Sequence, residues 1–140
     1  MRSLSLIAGL LIGTLLMGVS LRATPASPEH RIRAVIEAQL DRFRADDAEG
    51  AFELASPKIR AMFGSAERFM AIVARGYPEI RRSRAARFLN TVDVHGMKVQ
   101  RVMITGDDGR IVTAAYAMVE AEGQWRIDGC WILNDVGLDT

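Results

Sequence analysis

The feature that most constrains the fold is a change in hydrophobic periodicity near residue 84. Before this point apolar residues recur at the spacing of amphipathic helices, and after it they tend to recur at every second residue, as in β-strands. A chain whose helices all precede its strands is typical of an α+β domain. We therefore predict that N-terminal helices pack on one face of an antiparallel four-stranded sheet.

Cap and stop signals divide the first half into four predicted helices, of which the longest covers residues 28–45. Each helix is preceded by a residue whose side chain can accept a hydrogen bond from the first helical turn. These residues are Ser27, Asp46 or Asp47, Ser56 and Ser65. Gly76 is expected to end the fourth helix in the left-handed conformation, with Pro78 just beyond it.

Four alternating segments follow, separated by turn sequences that suit antiparallel hairpins. The predicted strands are residues 86–95, 97–105, 110–121 and 124–133. The third is apolar on both faces, with Tyr116 on one and Ala117 on the other. Since the helices can cover only one face, we expect a ligand cavity or a second subunit, in a possible homodimer, to cover the other.

The last strand places an acidic residue and the only cysteine within an apolar segment. Trp125, Ile127 and Trp131 are predicted to share one face, and Asp128 and Cys130 the other. A lone cysteine far in sequence from both histidines is typical of a small buried side chain, and pairing with a second chain is the alternative. One cysteine also excludes a disulfide within the chain.

The N-terminus has the pattern of a signal peptide. A basic start at Arg2 precedes the uncharged segment Leu4–Leu21, and small residues follow around a cleavage site at 20–26. We predict cleavage of residues 1–23 and export of a single domain, residues 24–140, to the periplasm or the exterior. The alternative is an uncleaved anchor, which would be the chain's only expected contact with a membrane.

Composition argues against several classes of partner. Cleavage removes two of the 18 basic residues, Arg2 and Arg22, and none of the 17 acidic ones, which leaves a net charge of about −1. Nucleic acid is therefore not an expected partner. His30 and His95 lie 65 residues apart without other ligands at metal-binding spacing, so no metal and no cofactor are predicted.

Three segments carry a resemblance to a known family. FRADDAEGAFELASPKIRAMFGSAERFM (Phe43–Met70), Gly76-Tyr77-Pro78 and WRIDGC (Trp125–Cys130) resemble an exported bacterial family, domain of unknown function 4864, within the nuclear transport factor 2-like (SnoaL-like) cone fold. The resemblance implies a curved sheet around a cavity. It implies no activity, because the cone fold serves isomerases, dehydratases, binding domains and assembly domains alike.

The leading functional hypothesis is a small exported binding or accessory module. No set of nucleophile, base and orienting group can be assembled from the sequence, which argues against an enzyme. The cavity implied by the resemblance would hold a small apolar ligand. Its predicted lining residues are Phe69, Tyr116, Met118 and Trp131.

The alternative hypothesis is a cofactor-free isomerase or dehydratase. An aspartate within an apolar strand can serve as a general base when its pKa is raised, which makes Asp128 the candidate base and Tyr116 its proton donor, with His95 as another possible partner. Asp128 could instead lie on the solvated face and pair with an arginine such as Arg126.

A third candidate site is a run of arginines between the last helix and the first strand. Arg81, Arg82, Arg84 and Arg87 lie within seven residues and could bind a carboxylate, a phosphate or a lipid headgroup. The alternative is a solvated connector whose charge is offset by acidic neighbours such as Glu79.

Overall fold

The structure, a computed structural model, describes residue 18 and residues 20–133. Most of the predicted signal peptide, residues 1–17 and 19, therefore lies outside the described residues. Within residues 20–133 five helices precede four strands. They are α1 (Pro28–Arg44), α2 (Ala48–Glu53), α3 (Pro57–Phe63), α4 (Ala66–Gly76), α5 (Pro78–Arg81), β1 (Ser83–Val94), β2 (Met97–Gly106), β3 (Ile111–Ala121) and β4 (Gln124–Leu133).

The predicted caps start the first four helices. The side-chain oxygen of each cap residue accepts the backbone N–H three residues further on, at 3.2 Å for the three serines and 2.9 Å for Asp47. Each such bond satisfies a donor that the helix itself leaves unpaired. Proline follows Ser27 and Ser56 at the first helical position, where its missing N–H costs nothing.

The predicted end of the fourth helix is wrong. Gly76 is the last residue of α4 and lies outside the left-handed region, and Tyr77 follows with φ −137°. Tyr77 caps α4 and also precedes Pro78, which begins the fifth helix, α5. A residue before proline is restricted to extended conformations, so the chain turns at Tyr77 and Gly76 remains helical.

The strands form one antiparallel meander in the order β1-β2-β3-β4, as predicted. Two hairpin turns use consecutive residues with positive φ, His95-Gly96 (50° and 80°) and Glu122-Gly123 (55° and 74°). These angles suit the turn whose twist matches paired strands. β1 begins at Ser83, three residues before the predicted start, and its pairing with β2 has two irregularities in register.

The core lies between the helices and the inner face of the sheet. Ile32, Ile36, Leu40 and Phe43 form one stripe of α1, and each is at most 1% exposed. They belong to one cluster with Val102, Ile104, Ala114, Tyr116 and Met118 from the strands. Burying each large apolar side chain contributes about 1.5–3 kcal/mol, so this contact fixes the helices on that face.

A bulge in β4 changes the alternation that the sequence predicts. Ala117 pairs with Gly129 while Met118 pairs with Ile127, so Asp128 has no partner in the register. The extra residue shifts the alternation by one position. Ile127 and Cys130 consequently both belong to or pack against the inner core, and Trp131 is 51% exposed instead of sharing a face with Ile127.

Candidate functional site

A cavity of about 300 Å³ lies between α1, α3, α4 and α5 on one side and β3 and β4 on the other. Its wall is mainly apolar. The side chains that form most of it include Phe43, Ile59, Phe63, Phe69, Val73 and Ile80. A dry apolar cavity of about 150 Å³ is large enough for benzene in an engineered protein, so this volume would accept a one-ring ligand with a short substituent.

Phe69 organises the aromatic part of the wall. It lies on the buried face of α4, and its ring centroid is 5.9 Å from that of Phe43, 5.5 Å from Phe52 and 5.4 Å from Phe63. These distances fall in the range of favourable aromatic pairs. The cluster joins α1, α2, α3 and α4, and it thereby fixes the shape of the cavity.

Tyr116 reaches the cavity from the middle of β3. The residue is 1% exposed, and its hydroxyl has no hydrogen-bond partner among the described residues. Burial raises the pKa of Tyr116 well above its usual value, and the neighbouring Cys130 raises it further. The phenol therefore stays protonated and can act as a donor.

Cys130 is paired with Tyr116 across the two strands and also lines the cavity. Burial raises the pKa of its thiol to about 12, although the adjacent Tyr116 hydroxyl lowers it slightly. A thiol with this pKa is neutral at physiological pH and is a poor nucleophile. The Tyr77 hydroxyl donates a hydrogen bond to the Cys130 backbone carbonyl oxygen at 3.3 Å, and not to the Cys130 thiol.

Asp128 lies in the cavity wall at the β4 bulge. Its carboxylate accepts a 2.7 Å hydrogen bond from the Ser56 hydroxyl. It also forms an ion pair with the Lys58 ammonium, at an N–O distance of 3.2 Å. The Asp128 side chain is 15% exposed and that of Lys58 is 72% exposed, which places the pair where the cavity meets solvent. Two donors therefore already satisfy the carboxylate.

The profile of a protein family, Domain of unknown function (DUF4864), matches residues 26–140. The chain belongs to the DUF4864 family. No curated protein matches the sequence.

A solved structure supports the fold of this DUF4864 domain. The chain is similar to the designed NTF2-like protein Rd1NTF2_05, in a multiply substituted variant, with a TM-score of 0.50 and 16% sequence identity. The similarity covers 76% of this chain and 99% of the designed chain. At this level of identity it establishes the cone-like NTF2 fold and carries no function.

The structure brings three of the four predicted ligand-binding residues to the cavity. Phe69 and Tyr116 form its inner wall, and Trp131 borders it with its ring packed over the α-carbon of Gly129. Met118 does not line this cavity. It is 1% exposed within the core, because it lies opposite Ile127 rather than beside the opening.

The structure does not pair the predicted base with its predicted donor. The contacts of the Asp128 carboxylate are Ser56 and Lys58, whereas the Tyr116 hydroxyl lies beside the Cys130 thiol. His95, the other proposed partner, is an exposed turn residue between β1 and β2.

The four arginines of the predicted anion site differ in their surroundings. Arg81 in α5 donates to the Phe43 carbonyl oxygen and to the Asp46 carboxylate, and its side chain is only 12% exposed. This contact lowers the pKa of Asp46. Arg84 lies beside Gly109 and Arg87 is opposite Met103 in the sheet. Arg81 thus holds the turn after α1, whereas Arg82, Arg84 and Arg87 are exposed.

Residues 20–133 hold no cluster of three or more histidine, cysteine or acidic side chains arranged for a metal ion. Nor does any helix described here combine the length and hydrophobicity needed to cross a bilayer.

Several cavity residues were not predicted from the sequence. Gln39 lies in the wall from α1, where its amide donates to the Ala51 carbonyl oxygen at 3.1 Å, and Lys58 and Tyr77 also line it. The sequence did contain a signal for Gln39, because a polar residue within the apolar stripe of α1 indicates a buried hydrogen bond or a site. For Lys58 no sequence signal exists, since its partner lies 70 residues away.

Proposed function

We propose that the DUF4864 domain is a binding or accessory module that takes up a small apolar molecule in the cavity beneath α3 and α4. The observation that carries this proposal is a mainly apolar cavity of about 300 Å³ whose titratable groups are either neutral or already paired. Such cavities, with few convergent polar groups, are typical of ligand sites.

Binding of ethylbenzene, measured by calorimetry and thermal shift, tests this proposal. A ligand that binds only the native state raises the melting temperature. Val73→Phe would fill part of the cavity from α4 and should abolish binding, whereas Ala74→Phe, at the next and exposed position, should leave binding unchanged. Absence of binding to the native chain, or equal binding by both variants, would contradict the proposal.

A cofactor-free isomerase or dehydratase is the second candidate function. The observation in its favour is that Asp128 lies in the cavity wall. Against it, the Ser56 hydroxyl and the Lys58 ammonium already occupy the two carboxylate oxygens of Asp128.

Proton exchange separates catalysis from binding. A general base in this cavity would catalyse exchange of the methyl protons of acetophenone in D₂O, and NMR would detect the loss of signal. If the domain is a binding module, the native chain should give no more exchange than buffer alone, which is the result we expect. If the native chain catalyses exchange and Asp128→Asn abolishes it, the enzyme is favoured.

The proposed place of action is outside the cytoplasm, in the periplasm or the medium. The signal-like N-terminus supports this part of the proposal. Expression of the full chain in a Gram-negative host, followed by cell fractionation and mass measurement, tests it. A soluble periplasmic chain that begins between residues 20 and 26 is the expected product. A full-length chain in the membrane fraction would indicate an anchor.

A further inference from the structure

Tyr116 lines the cavity, and its hydroxyl makes no hydrogen bond that supports the fold. The hydroxyl oxygen is buried beside the Cys130 thiol, and it has no hydrogen-bond partner in the described residues. A buried hydroxyl without a partner destabilises a fold by about 1–3 kcal/mol, and phenylalanine would fill the same space without this cost. A donor left unpaired at a cavity wall is suited to a ligand that supplies an acceptor.

The neighbours of this hydroxyl do not replace such a ligand. The Cys130 thiol beside it is a weak acceptor, and the Tyr77 hydroxyl is directed to the Cys130 carbonyl oxygen instead. Because burial keeps the Tyr116 phenol protonated, it presents an O–H donor and no negative charge. The complementary atom on a ligand is an oxygen or nitrogen acceptor.

The charges of the wall restrict the ligand further. Lys58 and Asp128 are the charged residues that line the cavity, and they pair with each other at its solvent side. An ion bound near Tyr116 would lose its hydration without a free opposite charge to replace it, which is strongly unfavourable. The ligand is therefore expected to be neutral.

We propose that the cavity selects neutral, mainly apolar molecules that carry one hydrogen-bond acceptor, such as a carbonyl group, and that Tyr116 donates to this acceptor. This inference rests on the proposed binding function and adds the polar group that the ligand must have. Tyr116 would then determine specificity, while the aromatic and aliphatic wall supplies most of the affinity.

Three probes of nearly equal shape test the inference. Ethylbenzene has no acceptor, acetophenone has a carbonyl group in its place, and benzoate carries a charge. Their dissociation constants would be measured by calorimetry for the native chain, Tyr116→Phe and Ala74→Phe. Ala74 is the control, because it is an exposed residue of α4 that does not belong to the cavity lining.

In Tyr116→Phe we expect acetophenone affinity to fall about tenfold relative to ethylbenzene affinity, which is the size of one lost hydrogen bond. In Ala74→Phe this ratio should stay at its native value. Benzoate should not bind at neutral pH. The carbonyl stretching band of acetophenone should move to lower frequency on binding the native chain and should move less on binding Tyr116→Phe.

The outcomes separate the two proposals. If neither neutral probe binds the native chain, the binding function fails, and this inference fails with it. If both bind but Tyr116→Phe changes neither the affinity ratio nor the carbonyl band, binding stands and the role of Tyr116 is overturned. Tight benzoate binding would overturn the expected neutrality. Infrared spectra of the bound probe decide the question even if Tyr116→Phe proves unstable.

Discussion

The Ser56 hydroxyl donates a 2.7 Å hydrogen bond to the carboxylate of Asp128, a residue 72 positions further along the chain. The same hydroxyl accepts the backbone N–H of Ile59 at the start of α3. Next to it, the backbone N–H of Ser56 bonds to the Ile127 carbonyl oxygen at 2.8 Å, and the Ile127 N–H bonds to the Leu54 carbonyl oxygen at 3.0 Å. Ser56 thus joins the helical half to the edge strand beside the cavity.

Ser56→Ala should destabilise the domain more than loss of a helix cap alone. The substitution removes a cap and a hydrogen bond to a charged group, which together are worth about 2–4 kcal/mol. Ser65→Ala removes only the cap of α4 and should cost about 1 kcal/mol. Urea unfolding of both variants checks this expectation. Equal losses would mean that the contact with Asp128 adds nothing to stability.

The two functions of the Asp128 carboxylate, as charge and as acceptor, can be separated. Asp128→Asn keeps an oxygen for Ser56 and loses only the pair with the exposed Lys58, which should cost less than about 1 kcal/mol. Asp128→Ala leaves the buried Ser56 hydroxyl without its acceptor and should cost about 1–3 kcal/mol. Denaturant unfolding at neutral pH compares them. A larger loss in Asp128→Asn than in Asp128→Ala would contradict this order.

The sequence predicts those parts of the fold whose causes are local. Serine followed by proline fixes the starts of α1 and α3, because the hydrogen bond that caps a helix spans only three residues. The turn at His95-Gly96 is likewise set by residues that tolerate positive φ. The alternation in β3 separates its two faces, but both are apolar, so only the structure shows that the face with Tyr116 is the inner one.

The rest depends on contacts between distant residues. The bulge at Asp128 follows from the pairing of β4 with β3 on one side and with Leu54 and Ala55 on the other, and no local pattern marks its position. It turned Trp131 outward and set Met118 opposite Ile127. The wall contributed by α3 and α4 depends on how separate helices pack, so only Phe69 was anticipated there.

The buried thiol should make stability decrease at high pH. The pKa of Cys130 is about 12 in the folded chain, against 9.0 for an unperturbed thiol. Between these values the unfolded chain has lost the thiol proton that the folded chain retains, so raising the pH favours unfolding. The contribution of Cys130 is therefore complete below pH 9 and is lost as the pH rises toward 12.

Cys130→Ala isolates this contribution. Between pH 9 and 11, the free energy of unfolding of the native chain should fall more steeply with pH than that of Cys130→Ala. Tyr116, which is buried in both proteins, should contribute a similar dependence on pH to each. Native Cys130 should also react with iodoacetamide about 1,000-fold more slowly than a free thiol near pH 8. Parallel pH profiles, or rapid alkylation of the folded chain, would show that the thiol is not held in its neutral form.

The last prediction concerns the outer face of the sheet, opposite the helices. A row of small and apolar residues crosses all four strands there, since the register aligns Val92, Val99, Ala117 and Gly129. Trp131 lies over the end of this row and is half-exposed. Ala117 in the row is 1% exposed, but Val92 and Trp131 at its two ends are 38% and 51% exposed. We expect a second copy of the chain to cover these exposed apolar side chains through a two-fold interface.

Light scattering on residues 24–140 over a hundredfold range of micromolar concentration tests this expectation. The native chain should have twice the mass of one copy, and Val99→Lys should shift it to a single copy by placing a charge at the centre of the row. Ala74→Lys, at an exposed position on α4 away from the sheet, should leave the dimer intact. A native mass of one copy at every concentration would mean that Trp131 and its neighbours satisfy this face within one chain.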